Sequence, residues 1–132
     1  MNRVKGLTKD NEVVIGILVD DFILNEDNVL IPVVKESIRE NTFFSLHGIP
    51  LYIGDIITDG IVTGRIDRKS PNLNRIVARD ILTNRIILKY DPQKENRGHE
   101  LSEVNNYCKG FRKVKDCLEV YKETTKEKYE SE

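Results

Sequence analysis

The apolar residues fall in short, closely spaced runs divided by polar turns, a pattern of antiparallel strands rather than long helices. Residues 3–7 form a short mixed run, and Thr8-Lys9-Asp10-Asn11 is a polar turn. Residues 12–20 then read Glu-Val-Val-Ile-Gly-Ile-Leu-Val-Asp, β-branched, continuous and too short for an amphipathic helix. This predicts a buried strand, hairpin-paired with 3–7, in which Gly16 marks a bulge or a close approach. Residues 22–24 and 29–34 predict a second hairpin across Asn25-Glu26-Asp27-Asn28, and Pro32 demotes its second arm to an edge strand or strand end. Residues 35–40 read as one helical turn or a loop, and 42–46 return to strand character.

From residue 48 the signals sharpen. Leu51 and Tyr52 lead into a Gly54-Asp55 turn and a strand from Ile56. Asp59-Gly60 is a hairpin signal, with 61–66 as the return strand. Residues 70–74 are a loop, 75–81 an alternating strand, Thr83-Asn84 a turn and 85–90 another strand. Two consecutive hairpins make a meander. After a charged loop, the period changes: Val104, Tyr107, Cys108, Phe111, Val114, Cys117, Leu118 and Tyr121 recur at three- and four-residue steps. That is a helical stripe, with Ser102-Glu103 at its start; Gly110 costs such a helix about 1 kcal/mol against alanine. The expectation is one α+β, mostly β domain over 1–132, a small antiparallel barrel-like or meander domain with a C-terminal helix. Its parts are a β-rich region 1–91, a loop 92–101 and a helical segment 102–128.

Composition adds little until it is resolved along the chain. The 132 residues carry a net charge of −1, which gives no global case for nucleic acid. Residues 1–60, however, hold five Lys/Arg against ten Asp/Glu, residues 61–91 seven against three, and residues 92–132 nine of each. An acidic and a basic face are therefore expected, as solvated surface or as a means of complementary association. Cys108 and Cys117 lack metal or redox spacing and read as reduced, semi-buried residues. No signal peptide is evident and no apolar run approaches the roughly 18 residues of a membrane span, so a cytoplasmic protein is expected.

The stretch Asn41-Thr42-Phe43-Phe44-Ser45-Leu46-His47-Gly48-Ile49-Pro50-Leu51-Tyr52-Ile53-Gly54-Asp55-Ile56-Ile57 resembles the central pattern of the YopX family of phage and prophage proteins. That pattern is Asn-Gly-x-x-Ile-Tyr-x-Gly-Asp-Ile-Val after a threonine and a short turn. The opening Arg3-Val4-Lys5-Gly6, the turn 8–12 and the strand 13–19 also follow the family's order, so the resemblance covers about residues 3–66. The family's closing Val-Ile-Gly-Asn-Ile-Tyr is absent, unless Leu118-Glu119-Val120-Tyr121 is its remnant, which would make 117–121 a strand. The resemblance implies a β-rich fold and a phage or prophage setting. It implies no activity.

Candidate chemistry is sparse. Asp55 reads as a turn residue that accepts backbone N–H bonds. Asp20, Asp21, Glu26 and Asp27 read as an acidic cluster at a solvated hairpin end and lack the spacing of a calcium loop. His47 and His99 have no partners at ligand spacing, and neither a nucleophile elbow nor a phosphate loop is present. No enzyme, metal or cofactor is expected. The basic middle, Arg65, Arg68, Lys69, Arg75, Arg79, Arg85 and Lys89, is the candidate partner-binding set, several of which could share one face of the meander. The expected function is a non-catalytic accessory protein that binds a host or phage protein, for instance to inhibit a defence factor. Self-association as a homo-oligomer is a further reading. The alternative, nucleic-acid or nucleotide binding by 61–91, is weakened by the scarcity of aromatics: Tyr90 is the only one there.

Overall fold

A computed structural model describes residues 3–46, 48–68, 76–90 and 110–130. The chain divides into two compact units, residues 1–41 with 117–132, and residues 42–116. The strands are β1 (Arg3–Leu7), β2 (Val13–Val19), β3 (Phe22–Leu24), β4 (Leu30–Pro32), β5 (Arg39–Leu46), β6 (Ile49–Tyr52), β7 (Ile56–Thr58), β8 (Thr63–Arg68), β9 (Ile76–Asp80), β10 (Ile86–Tyr90) and β11 (Arg112–Lys115); helix α1 is Cys117–Glu130. They form two sheets, ordered β4-β3-β2-β1-β5-β6 and β10-β9-β8-β7-β11. Among the described residues neither sheet closes on itself, so the fold is the expected mostly-β α+β class without a barrel.

Strand pairing in the first unit is set by its turns. Thr8 Oγ1 accepts the N–H groups of Asp10 and Glu12 at 3.2 and 3.1 Å, and Asn11 takes a left-handed backbone with φ 63°. Two connections later the device recurs. Asn25 Oδ1 accepts from Asp27 and Val29, both at 3.0 Å, and Asn28 is left-handed at φ 59°. A short polar side chain that satisfies two turn N–H groups competes well with water for them. Between these turns, Asp20 at φ 54° reverses β2 into β3. The acidic residues therefore do not cluster: Asp20-Asp21 and Glu26-Asp27 lie at opposite ends of β3.

The core of this unit is Val4, Val14 and Ile23, with Ile31, Val33 and Ile38 packed against it. Its rim is closed by the 3-10 turn Lys35–Ser37. The wholly buried Ser37 accepts the Leu7 N–H at 2.8 Å and donates to the Val34 carbonyl at 2.6 Å. Gly16 marks a close approach rather than a bulge, because a Cβ there would meet the carbonyl oxygen of Leu24. The continuous apolar run of β2 is not the buried strand expected from sequence. Val14 is buried, but Val13, Ile15 and Val19 are exposed, because the sheet face they share is left open along this strand; Leu18, on the Val14 face, is exposed as well.

In the second unit Leu46, Leu51, Ile57, Ile66, Ile76, Ala78 and Phe111 form the core. The helical expectation for 102–128 is corrected in part. Residues 102–109 lie outside the described residues. Gly110 turns the chain at φ 99°, and 112–115 are a strand paired with β7. Helix begins only at Cys117, so 117–121 is helical, not a family-like strand. Two positions of the apparent stripe, Phe111 and Val114, belong to the turn and the strand. Cys117 is buried and in no disulfide, in line with the reduced residue read from sequence. Cys108 lies outside the described residues. No described helix is long and apolar enough to cross a membrane.

Gly16→Ala is expected to lower unfolding stability by about 1–3 kcal/mol, since backbone must move to admit the methyl group. The shift of the urea midpoint measures it.

Candidate functional site

Tyr52, Ile53, Gly54 and Asp55 form a tight turn in which Asp55 N–H donates to Tyr52 O at 3.1 Å. Gly54, at φ 96°, supplies a conformation that L side chains rarely adopt. The Asp55 side chain folds back and accepts the Tyr52 N–H on Oδ2 at 2.7 Å. That carboxylate has no solvent exposure. Lys113 of β11 lies 3.2 Å from the same oxygen and 2.7 Å from Asp116 Oδ1. Burial acts to lower the Lys113 pKa, but the hydrogen bond to Asp116 and the charges of Asp55 and Asp116 outweigh it, and the net effect is a raised value. The ammonium thus bridges the two carboxylates, and the arrangement anchors β11 to the 52–55 turn.

The basic residues nominated from sequence are dispersed. Arg65 and Arg79 are directly opposed on β8 and β9 and so share a face. Arg79 is not a lone cation, because its Nε lies 3.7 Å from Asp67 Oδ2 on the same face. Arg68, three residues from Arg65 on β8, falls on the opposite face, and its N–H donates to Asp67 Oδ1. Arg85 sits in the exposed β9–β10 turn. Lys89 pairs through its backbone with Val77 on β9, but its side chain lies outside the described residues. So do Lys69, Arg75, His47 and His99. The structure brings together Arg65 and Arg79, with Arg85 at the adjoining turn.

That turn end carries a feature missed in the sequence. The β7–β8 connection spans four residues rather than the two that Asp59-Gly60 predicts, so the return strand starts at Thr63, not at residue 61. Asp59 Oδ1 accepts both the Ile61 and Val62 N–H groups at 2.8 Å. These bonds, that from Val62 first, lower the Asp59 pKa against a smaller opposing effect of burial. The contribution of this cap is present above the usual carboxylate value and is lost as pH falls through the lower folded one. The β9–β10 turn repeats the device: Asp80 Oδ1 accepts from Leu82 at 2.7 Å and Thr83 at 3.1 Å.

The two turns are neighbours, because Ile81 N–H donates to Thr63 O at 3.1 Å. Each displays a large aliphatic side chain almost wholly to solvent, Ile61 at 91% and Leu82 at 90% exposure. Sequence could show that these residues are apolar and beside turns. It could not show that Asp59 and Asp80 hold them outward. No protein-family model, curated protein or solved structure matches the chain.

Replacing Asp55 with alanine removes one of the two carboxylates that hold the Lys113 ammonium and the acceptor of the Tyr52 N–H bond, and a loss of about 1–3 kcal/mol is expected in a urea melt. The pH dependence follows from Lys113. Its contribution is whole below the usual lysine value of 10.5 and is lost as pH rises through its higher folded pKa. The stability difference between the wild type and Lys113→Met should therefore be constant near neutral pH and shrink at strongly alkaline pH.

Proposed function

We propose that the chain is a non-catalytic binding protein that docks a protein partner through the turn end of its five-stranded sheet. The observation that carries this reading is the pair of adjacent, internally braced turns that present Ile61 and Leu82. Single exposed aliphatics are ordinary. Two on neighbouring turns, each fixed by a carboxylate cap, are pre-ordered, so binding does not have to freeze the loops. Apolar side chains that become buried on docking, rimmed by arginines, fit the apolar centre and polar rim of a protein interface. Arg85 and the Arg65–Arg79 pair flank them and favour a partner whose apolar hollow is bordered by carboxylates. In the phage or prophage setting implied by residues 3–66, such a surface suits an accessory protein that occludes a host or defence factor in the cytoplasm. Nucleic-acid binding is less favoured, since Arg79 is ion-paired and Arg68 lies on the other face.

The test is affinity capture from host extract with the tagged chain, with and without nuclease. The expected result is one stoichiometric protein partner that survives nuclease treatment. It should be lost in Ile61→Asp/Leu82→Asp and weakened in Arg85→Glu, with thermal melting unchanged, because all three side chains are exposed. Capture that is indifferent to both variants would sink the proposal. Recovery of nucleic acid alone, with affinity falling steeply with salt, would favour the other reading.

A further inference from the structure

The first unit leaves open a sheet face that neither the turn-end site nor the Asp55–Lys113 pair uses. Residues directly opposed across antiparallel strands share a face, and the registers define the rows. Val19, Phe22 and Pro32 form one row, and Arg3, Ile17, Leu24 and Leu30 another. A third runs from Ile15 through Lys5 to Arg39. At the β5 end of that third row, the Arg39 guanidinium lies 5.6 Å from the ring centroid of Tyr121 on α1. The helix therefore lies over the β1–β5 side of this face. The β2–β3–β4 side stays open, with Ile15 at 43%, Val19 at 40%, Phe22 at 41% and Leu30 at 51% exposure. No position on the open side bears a charge.

We infer that this open side is the interface of a symmetric dimer, occupied by the same face of a second copy of the chain. Three observations select that occupant. The first is area. Ile15, Val19, Phe22 and Leu30, each 40–51% exposed, make a contiguous apolar field of the kind a monomer rarely leaves uncovered. A specific interface needs about 1,000 Å² in total, about 500 Å² from each copy. The second is the edge. β4 is short and ends in Pro32, which lacks an N–H, so continuing the sheet through this edge is disfavoured and face-to-face packing is left.

The third is charge. Exposed Arg3 lies in the same row as Leu24 and Leu30, from which the Asn25–Val29 turn springs with exposed Glu26 and Asp27. A two-fold axis parallel to the strands and centred on β3 puts β2 of one copy over β4 of the other, so that β1 and the helix above it lie just outside the edge of the mate. Rows are preserved by that operation, so Arg3 of each copy comes beside the acidic turn of its mate. The two helices then flank the paired faces rather than collide. A closed two-fold of this kind ends at two copies.

Sedimentation equilibrium of the full chain tests this. The wild type should be a dimer at tens of micromolar that dissociates on dilution. Ile15→Glu/Phe22→Glu should be monomeric, with the far-UV spectrum and melting of a folded protein. Because a double variant in a strand could fail to fold, a second set leaves the apolar field intact. Arg3→Glu should weaken the dimer about three- to fivefold, and adding Glu26→Arg/Asp27→Arg should restore it. A wild type that stays monomeric at several hundred micromolar overturns the inference, whether the face is open or covered by other residues of the same chain. So does a dimer indifferent to Phe22→Glu. Failure of the charge swap to restore association overturns the two-fold geometry. None of these outcomes touches partner capture by Ile61 and Leu82, which is read separately.

Discussion

The buried carboxylate of Asp55 is the point on which the second unit turns. A charge with no solvent exposure must find compensation inside the protein or shift the chain to a different arrangement. Here one oxygen takes the Tyr52 N–H and the Lys113 ammonium. The first bond closes the turn between β6 and β7. The second draws in β11, a four-residue edge strand whose pairing with β7 is interrupted by a register shift between Lys113 and Lys115. A ladder so short has few backbone bonds of its own. The ion pair therefore holds in place the strand that Phe111 precedes, and Phe111 belongs to the same core as Ile57 and Ile66. The glycine at position 54 is required because the turn that presents this carboxylate has a positive φ there.

How much of this was legible in the sequence follows from the range of each interaction. The strands from β1 to β10 are written in local patterns of β-branched residues and turn formers, and the expected hairpins are present. The Asp59-Gly60 turn was recognised, but its length was not, because the carboxylate of Asp59 adds two residues to the loop by capping both N–H groups. The strand at 112–115 was hidden for the opposite reason. Its pairing partner lies more than fifty residues earlier, and Phe111, Val114, Cys117 and Leu118 happen to match helical spacing. The open face of β2 was missed because an apolar run states which residues avoid water, not what covers them.

The basic set shows the same division. Arg65 and Arg79 share a face because their strands pair in that register, which no local pattern contains. The separation of Arg65 from Arg68 was available in principle. Three residues apart on a strand is an odd step, and odd steps point to opposite faces. Formal charge counted over a segment overstates a basic surface whenever the strand period distributes it across both sides and a nearby aspartate neutralises part of it, as Asp67 does for Arg79.

Four connections in this chain are closed by the same means: Thr8, Asn25, Asp59 and Asp80 each accept two N–H groups from residues further along their own turns. The shape of each loop is thus fixed by its first residue, while the residues at its tip point outward and contribute little to holding it. On the docking role proposed above, stability and recognition are written at different positions, and substitutions at residues 61 and 82 would change what the tips meet, one side chain at a time, on an unchanged scaffold.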